Sequence, residues 1–119
     1  AEAYGVDSRR ARTLKVAAAV TISGEKVSVT SIAANAFKGM KKLEKVTIGT
    51  NVSKIGKNAF SGDSKLKSIQ IKSKKLTSVG KGALKNISAK AVIKVPKSKK
   101  KAYTSLLKGK GQKKSVKIK

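Results

Sequence analysis

The sequence predicts a solenoid: a short parallel β-ladder built from stacked copies of one unit and sealed at both ends. Ile32, Ile55 and Val79 head three copies of one motif, VTSIAANAFKGMKKLEKVTI from Val29, VSKIGKNAFSGDSKLKSIQI from Val52 and LTSVGKGALKNISAKAVIKV from Leu76. The offsets are 23 residues (55 − 32) and then 24 (79 − 55), the extra residue falling in the lysine run Lys72 to Lys75. Apolar residues recur in step: Ala36, Ala59 and Ala83; Phe37, Phe60 and Leu84; Val46, Ile69 and Ile93; Ile48, Ile71 and Val95. A near-constant period in the low twenties marks units that bury their faces on their neighbours.

Residues 1–13 show no apolar periodicity and read as a flexible basic tail or linker. All three arginines of the chain, Arg9, Arg10 and Arg12, lie there, and Arg9-Arg10-Ala11-Arg12 fits a basic processing site as well as an unrelated linker. A single repeat domain is expected over 14–119. It opens with a cap at 14–28, where Val16, Val20 and Ile22 lead to Ser23-Gly24-Glu25, followed by Val27 and Val29. Two alternating runs split by a glycine-containing turn predict a β-hairpin that covers the first repeat.

Three repeats follow over 29–96. Leu43-x-x-Val46-x-Ile48 and Leu66-x-x-Ile69-x-Ile71 match the leucine-rich-repeat core L-x-x-L-x-L. Alternation sends Val46 and Ile48 to one face of a short strand, so stacked strands share a continuous aliphatic core. The residues predicted to form it are Ile32, Phe37, Leu43, Val46, Ile48, Ile55, Phe60, Leu66, Ile69, Ile71, Val79, Leu84, Ile93 and Val95. Turns or short helices are expected on the convex side. Gly39 and Gly62 stand where the chain must reverse tightly, and Asn86, which tolerates a left-handed turn, replaces them in the third copy.

After Pro96 the period changes, and 97–119 reads as the C-terminal cap. Ala102, Tyr103, Leu106 and Leu107 share a helical face, and Gly109 and Gly111 stop that helix. Val116 and Ile118 stand 23 residues beyond Ile93 and Val95 (116 − 93, 118 − 95), which predicts a last strand on the same ladder.

Composition narrows the chemistry. The 119 residues include no cysteine and no histidine, so disulfides, thiolate metal sites and histidine-based nucleophilic triads are absent. The five carboxylates, Glu2, Asp7, Glu25, Glu44 and Asp63, are scattered, which argues against paired acid–base catalysis. Gly109-Lys110-Gly111-Gln112-Lys113-Lys114 lacks the spacing and hydroxyl residue of a phosphate-cradling loop. A non-enzymatic chain with no cofactor, no metal and no small-molecule substrate is therefore expected. No apolar run approaches the ~20 residues of a membrane span. The sequence shows no signal peptide, consistent with a mature form, a fragment or a cytosolic protein.

Charge is the second large feature: 30 Lys+Arg against 5 Asp+Glu, a formal +25. Such a field attracts polyanions with little discrimination. Every cation after Arg12 is lysine, a hydrated point charge without the fork of arginine. A specialised nucleic-acid reader would be expected to carry more arginine and more aromatic residues.

The repeats resemble the BspA-like leucine-rich-repeat family, whose copies of about 23 residues carry I-G-x-x-A-F-x-G-C-x-x-L-x-x-I-x-I. The matching text is Ile55-Gly56-Lys57-Asn58-Ala59-Phe60-Ser61-Gly62-Asp63, then Leu66, Ile69 and Ile71. The closing IKVPKSKKKAYTSLLKGKG is similar to the lysine-rich C-terminal cap of members from gut Gram-positive bacteria. The resemblance covers 16–119 and implies a secreted or cell-surface bacterial protein with a role in adhesion. Met40, Asp63 and Ile87 occupy the family's frequent cysteine position. An unpaired buried carboxylate is costly, so Asp63 is expected to turn outward or to accept backbone N–H bonds.

Binding must then use surface. Residues between two inward ones point outward, giving the columns Thr47, Gln70, Lys94, Lys117 and Gly49, Lys72, Pro96, Lys119. With Lys97, Lys99, Lys100 and Lys101 alongside, Lys72, Lys94, Lys117 and Lys119 form a candidate polyanion-binding strip. The expected partners are a host or microbial surface protein or glycan, or an anionic polymer such as teichoic acid, a heparin-like chain or nucleic acid, met by a monomer. Sequence-nonspecific nucleic-acid binding and cationic membrane activity, the latter through 97–107 as a basic amphipathic helix, are the competing readings.

Overall fold

The computed structural model describes residues 2–3, 12–16, 19–22 and 25–119, with side chains described for 12–15 and 29–119. The Arg9-Arg10-Ala11 stretch and the Ser23-Gly24 turn lie outside the described residues. In chain order the elements are β1 (Glu2–Ala3), β2 (Thr13–Val16), β3 (Ala19–Ile22), β4 (Glu25–Ser28), β5 (Ser31–Ile32), β6 (Lys45–Ile48), β7 (Lys54–Ile55), β8 (Ser68–Ile71), β9 (Ser78–Val79) and β10 (Val92–Lys94). A 3₁₀ turn (Lys97–Lys99), the helix α1 (Lys100–Leu107) and β11 (Lys117–Ile118) complete the chain.

Each repeat gives one strand to each of two parallel ladders. The broad ladder runs β11-β10-β8-β6-β2 and the narrow one β1-β5-β7-β9. In the broad ladder Leu14 pairs with Val46, Val46 with Ile69, Ile69 with Ile93 and Ile93 with Ile118. The narrow ladder stacks Ile32, Ile55 and Val79. Alternation is the cause: in β6 and β8 every second side chain is buried, and β-branched residues suit that half-buried surface.

The core lies between the ladders. Ile32, Phe37, Leu43, Val46, Ile48, Ile55, Phe60, Leu66, Ile69, Ile71, Val79, Leu84 and Ile93 are buried, while Val95, Val116 and Ile118 are partly buried against them. Phe37 and Phe60 stack with centroids 5.7 Å apart. In the third repeat the leucine column is occupied by exposed Lys90, and the neighbouring Ala91 is buried instead.

The convex side consists of turns in step with one another, with no helix in any of the three repeats. Asn35, Phe37 and Gly39 donate backbone N–H bonds to Lys57, Ala59 and Ser61 at 2.9, 2.9 and 2.8 Å, and Asn58, Phe60 and Gly62 repeat this toward Lys81, Ala83 and Lys85. Aiming alternate N–H groups at the next rung requires two left-handed residues per turn. One column is Asn35 (φ 63), Asn58 (φ 58) and Gly82 (φ 73), and the other is Gly39 (φ 72), Gly62 (φ 81) and Asn86 (φ 60). Only glycine and asparagine populate that region readily, and the third repeat exchanges the two residue types between the columns.

A third column is set by close approach. A Cβ on Gly56 would stand 2.4 Å from the Ala34 nitrogen and 2.7 Å from the Ile32 oxygen, and one on Gly80 2.3 Å from the Lys57 nitrogen. Gly56 and Gly80 also donate to Ile32 and Ile55 oxygens at 2.8 and 2.7 Å, so backbone stacks directly on backbone. Ala33, at the equivalent position of the first repeat, carries the side chain that the later two cannot.

The structure differs from the sequence reading at both ends. β2 is not a hairpin arm; it is the first rung of the broad ladder, and the hairpin is β3 with β4, pairing Ala19 with Ser28 through Ile22 with Glu25. Residues assigned to the tail also join the fold: Glu2–Ala3 pairs with Ser31–Ile32, and the Arg12 oxygen accepts the N–H groups of Glu44 and Lys45 at 2.7 and 3.1 Å. The inward Leu14, buried beside Val46, explains why Thr13–Val16 prefers the ladder. At the other end Ile93 faces Ile118, not Val116, because the helical connection is two residues longer than the 23-residue offset assumed. A slip of two preserves which side chains face inward, so the burial pattern could not reveal it.

On α1, Tyr103 and Leu107 are buried and Leu106 partly so, but Ala102 is exposed. Gln112 caps the helix, its Nε2 donating to the Leu107 oxygen at 2.6 Å, and Gly109 (φ 70) and Gly111 (φ 97) turn the chain back. Asp63 is 0% exposed, and its Oδ1 accepts the Met40 N–H at 2.7 Å. The Asp63 side chain thus joins its turn to the previous one, filling the column of buried Met40 and Ile87 while bonding to the backbone.

Two stability measurements check this account. Gly56→Ala must push two turns apart and should lower the free energy of urea unfolding by about 1–3 kcal/mol. Asp63→Ala strands the buried Met40 N–H and should cost about 1–3 kcal/mol, with Asp63→Asn, which keeps an acceptor, costing less in the same assay.

Candidate polyanion-binding face

The outer face of the broad ladder is built by the residues that alternate with its buried ones. One row reads Lys15, Thr47, Gln70 and Lys94, in register across β2, β6, β8 and β10. Lys119 closes it, its N–H bonded to the Ile93 oxygen (2.8 Å) and its oxygen to the Val95 N–H (3.0 Å). The second row reads Thr13, Lys45, Ser68, Val92 and Lys117. Parallel strands stand ~4.8 Å apart, which sets the pitch of each row.

The expected columns therefore change. Lys119, not Lys117, sits beside Lys94, and Lys117 joins Lys45 one row over. Lys15 and Lys45 are exposed members that the sequence reading omitted. Lys45 was recoverable, lying two residues before Thr47, whereas Lys15 was hidden by assigning its strand to the hairpin. Uncharged Thr47, Gln70 and Ser68 occupy the centre of the face, with lysines toward both edges.

Lys72 and Lys94 line one surface feature. With Lys74, Gln70, Ile71, Val95 and Pro96 they line a shallow depression of about 250 Å³ between β8 and β10. Lys97, Lys99, Lys100 and Lys101 belong to another element, the 3₁₀ turn and the first turn of α1, with Lys99 half-buried and the others exposed. That helix begins on lysines and has no acidic residue in its first turn, opposite to what its dipole favours.

Charge is not confined to the ladder. Lys54, Lys57, Lys81 and Lys85 are exposed along the convex side. Glu44 lies 3.5 Å from Lys67, an exposed pair of small energetic weight. Glu44 also lines a second depression, of about 350 Å³, with Arg12, Lys42 and Lys65. The glycine-lysine stretch after α1 is engaged in the fold: the Lys110 oxygen accepts the Leu84 N–H at 3.0 Å, and the Lys110 N–H donates to Gln112 Oε1 at 3.0 Å. It serves as a fourth turn of the solenoid. Among the described residues no three His, Cys, Asp or Glu side chains are grouped to hold a metal ion, and no helix is long and apolar enough to cross a membrane.

Comparison with known proteins agrees with this architecture. No curated protein matches the sequence. Among solved structures, a leucine-rich cell surface protein from Faecalibacterium prausnitzii A2-165 is similar in fold, with a TM-score of 0.60 and 21% identity over 74% of this chain. The match spans 30% of that protein's chain. A model of the BspA type leucine-rich repeat region matches 18–119 in six copies, a span that holds the convex turns and every ladder strand from β5 onward. The chain belongs to the BspA type leucine-rich-repeat family.

Proposed function

We propose that this chain is a non-enzymatic binding and adhesion module of a secreted or surface-displayed bacterial protein, of Gram-positive origin, which uses a lysine-rich face to hold a surface protein, glycan or other polyanion. The observation that carries the reading is the outer face of the broad ladder. Lys15, Lys45, Lys94 and Lys117 project from strands of one sheet, Lys119 follows directly after its last strand, and no Asp or Glu stands in either row. A fixed sheet holds those charges in register without ordering a loop, which keeps the entropic cost of binding low. The likeness to a bacterial cell surface protein supports the location.

The reading as a nucleic-acid binder draws on the same charge but has less to recommend it. Phe37, Phe60 and Tyr103 are buried, so among the described residues no aromatic ring is offered for base stacking. Membrane activity through 97–107 would need the apolar side of α1, and Tyr103 and Leu107 already spend it on the core.

A salt series against heparin, teichoic acid, duplex DNA and anionic vesicles tests the proposal. Duplex DNA held by charge alone at about six phosphates should lose ~10³-fold in affinity between 50 and 200 mM salt. At least one surface polymer is expected to keep measurable affinity at the higher salt. Equal binding to all four, weakening in parallel, would leave net charge as the whole explanation and overturn the proposal.

A further inference from the structure

The step between the second and third repeats is irregular, and three exposed lysines gather beside it. Between Ile71 and Leu76 the chain has four residues, 72–75, where Ile48 and Val52 are separated by three, 49–51. The additional residue is not left loose. Ser73 is 0% exposed; its Oγ donates to the Val52 oxygen at 2.6 Å and accepts the Lys75 N–H at 3.0 Å. Tyr103, reaching in from α1, donates its hydroxyl to the Ser73 oxygen at 2.8 Å and accepts the Leu76 N–H at 3.0 Å. Lys72 anchors the other side through its N–H to the Ile48 oxygen at 3.0 Å. A buried serine flanked by two exposed lysines is thus fixed from below, from behind and from the neighbouring rung.

The bulge contributes Lys72 and Lys74 to the lining of the depression, together with Lys94 and Pro96. None of these three lysines meets a carboxylate among the described residues, whereas the comparable depression beside Arg12 contains Glu44. Three lysines line one small volume, and bracing of the backbone beneath them reduces the order lost when an anion enters. Ile71, Val95 and Pro96 supply its apolar lining, and Gln70 lines it as well.

We propose that this bulge and Lys94 form a subsite for the acidic group of a polysaccharide, a sulfated or uronic sugar whose ring lies over Pro96 and Val95. The proposal rests on the polyanion-binding reading above and assigns it a place and a ligand class. The apolar lining suits the C–H face of a pyranose, and Gln70, Thr47 and Ser68 continue along the ladder as uncharged partners for sugar hydroxyls. Nucleic acid fits less well, since its phosphates would find the charges but its bases no stacking surface and no arginine fork.

Two charge-matched triple variants provide the test. Lys72→Ala/Lys74→Ala/Lys94→Ala empties the depression, while Lys54→Ala/Lys57→Ala/Lys81→Ala removes the same charge from the convex side. Binding of a heparin-derived hexasaccharide is measured by calorimetry between 50 and 200 mM salt, with a duplex DNA of similar charge in parallel. The first variant should reduce the slope of log affinity against log salt by about 3, one per lysine contact, and the second by less than about 1. Equal losses in the two variants would overturn the subsite while leaving polyanion binding intact. Tighter binding of DNA than of hexasaccharide, lost through the same three lysines, would overturn the assignment to a glycan. Failure of the unaltered protein to bind the hexasaccharide or any of the polymers would instead remove the parent reading.

Discussion

Successive turns of this chain rest on one another backbone to backbone, and the spacing of that contact governs most of what surrounds it. Gly56 and Gly80 donate to Ile32 and Ile55 oxygens at 2.8 and 2.7 Å, with no room for a Cβ between the turns. Once that distance is fixed, the N–H groups of the convex turns must point at the next rung, and two left-handed positions per turn follow. The side chains then fall into columns, and each column needs one chemical solution. Aliphatic and aromatic residues fill most of them. Where an acidic residue enters, at Asp63, its Oδ1 accepts a backbone N–H of the preceding turn, at 2.7 Å.

The same stacking explains how a chain of formal charge +25 folds at all. Aliphatic burial and inter-turn hydrogen bonds are internal to the solenoid and are not screened or repelled by the lysines outside. Regular stacking also makes those lysines repeat, so mutual repulsion is built into the surface along with its attraction for polyanions. The end caps serve different purposes. Terminal turns need a cover, and α1 supplies it with Tyr103 and Leu107; Tyr103 in addition bonds the backbone at the inserted residue between the second and third repeats. The cap and the bulge are therefore one structural unit, and the lysines beside it are held more firmly than a loop of that composition would be.

Much of the candidate face was legible because strands alternate with period two. Thr47, Gln70 and Lys94 could be put outward from Val46, Ile48 and their counterparts alone, and Lys72 from its position after Ile71. Lys117 and Lys119 could be given the correct side but not the correct neighbours, since the length of a helical connection does not fix strand register. Lys15 falls within the 14–28 stretch that reads as one hairpin, because the apolar alternation of the sequence does not mark where the ladder strand ends and the hairpin begins. Lys74 carries no periodic signal, and its position depends on how Ser73 folds inward.

Repeat spacing and the alternation of apolar residues determined by themselves that this chain is a capped solenoid, which side chains fill it, and that its exterior is a cationic coat. These are properties of local pattern, and one residue's period constrains the next. Only the tertiary structure decided which rungs are neighbours at the two ends, and that an inserted serine is driven into the interior so that Lys72, Lys74 and Lys94 line one depression. That outcome depends on a tyrosine 30 residues away from Ser73 in sequence, and a contact between distant segments leaves no periodic trace for a sequence to show.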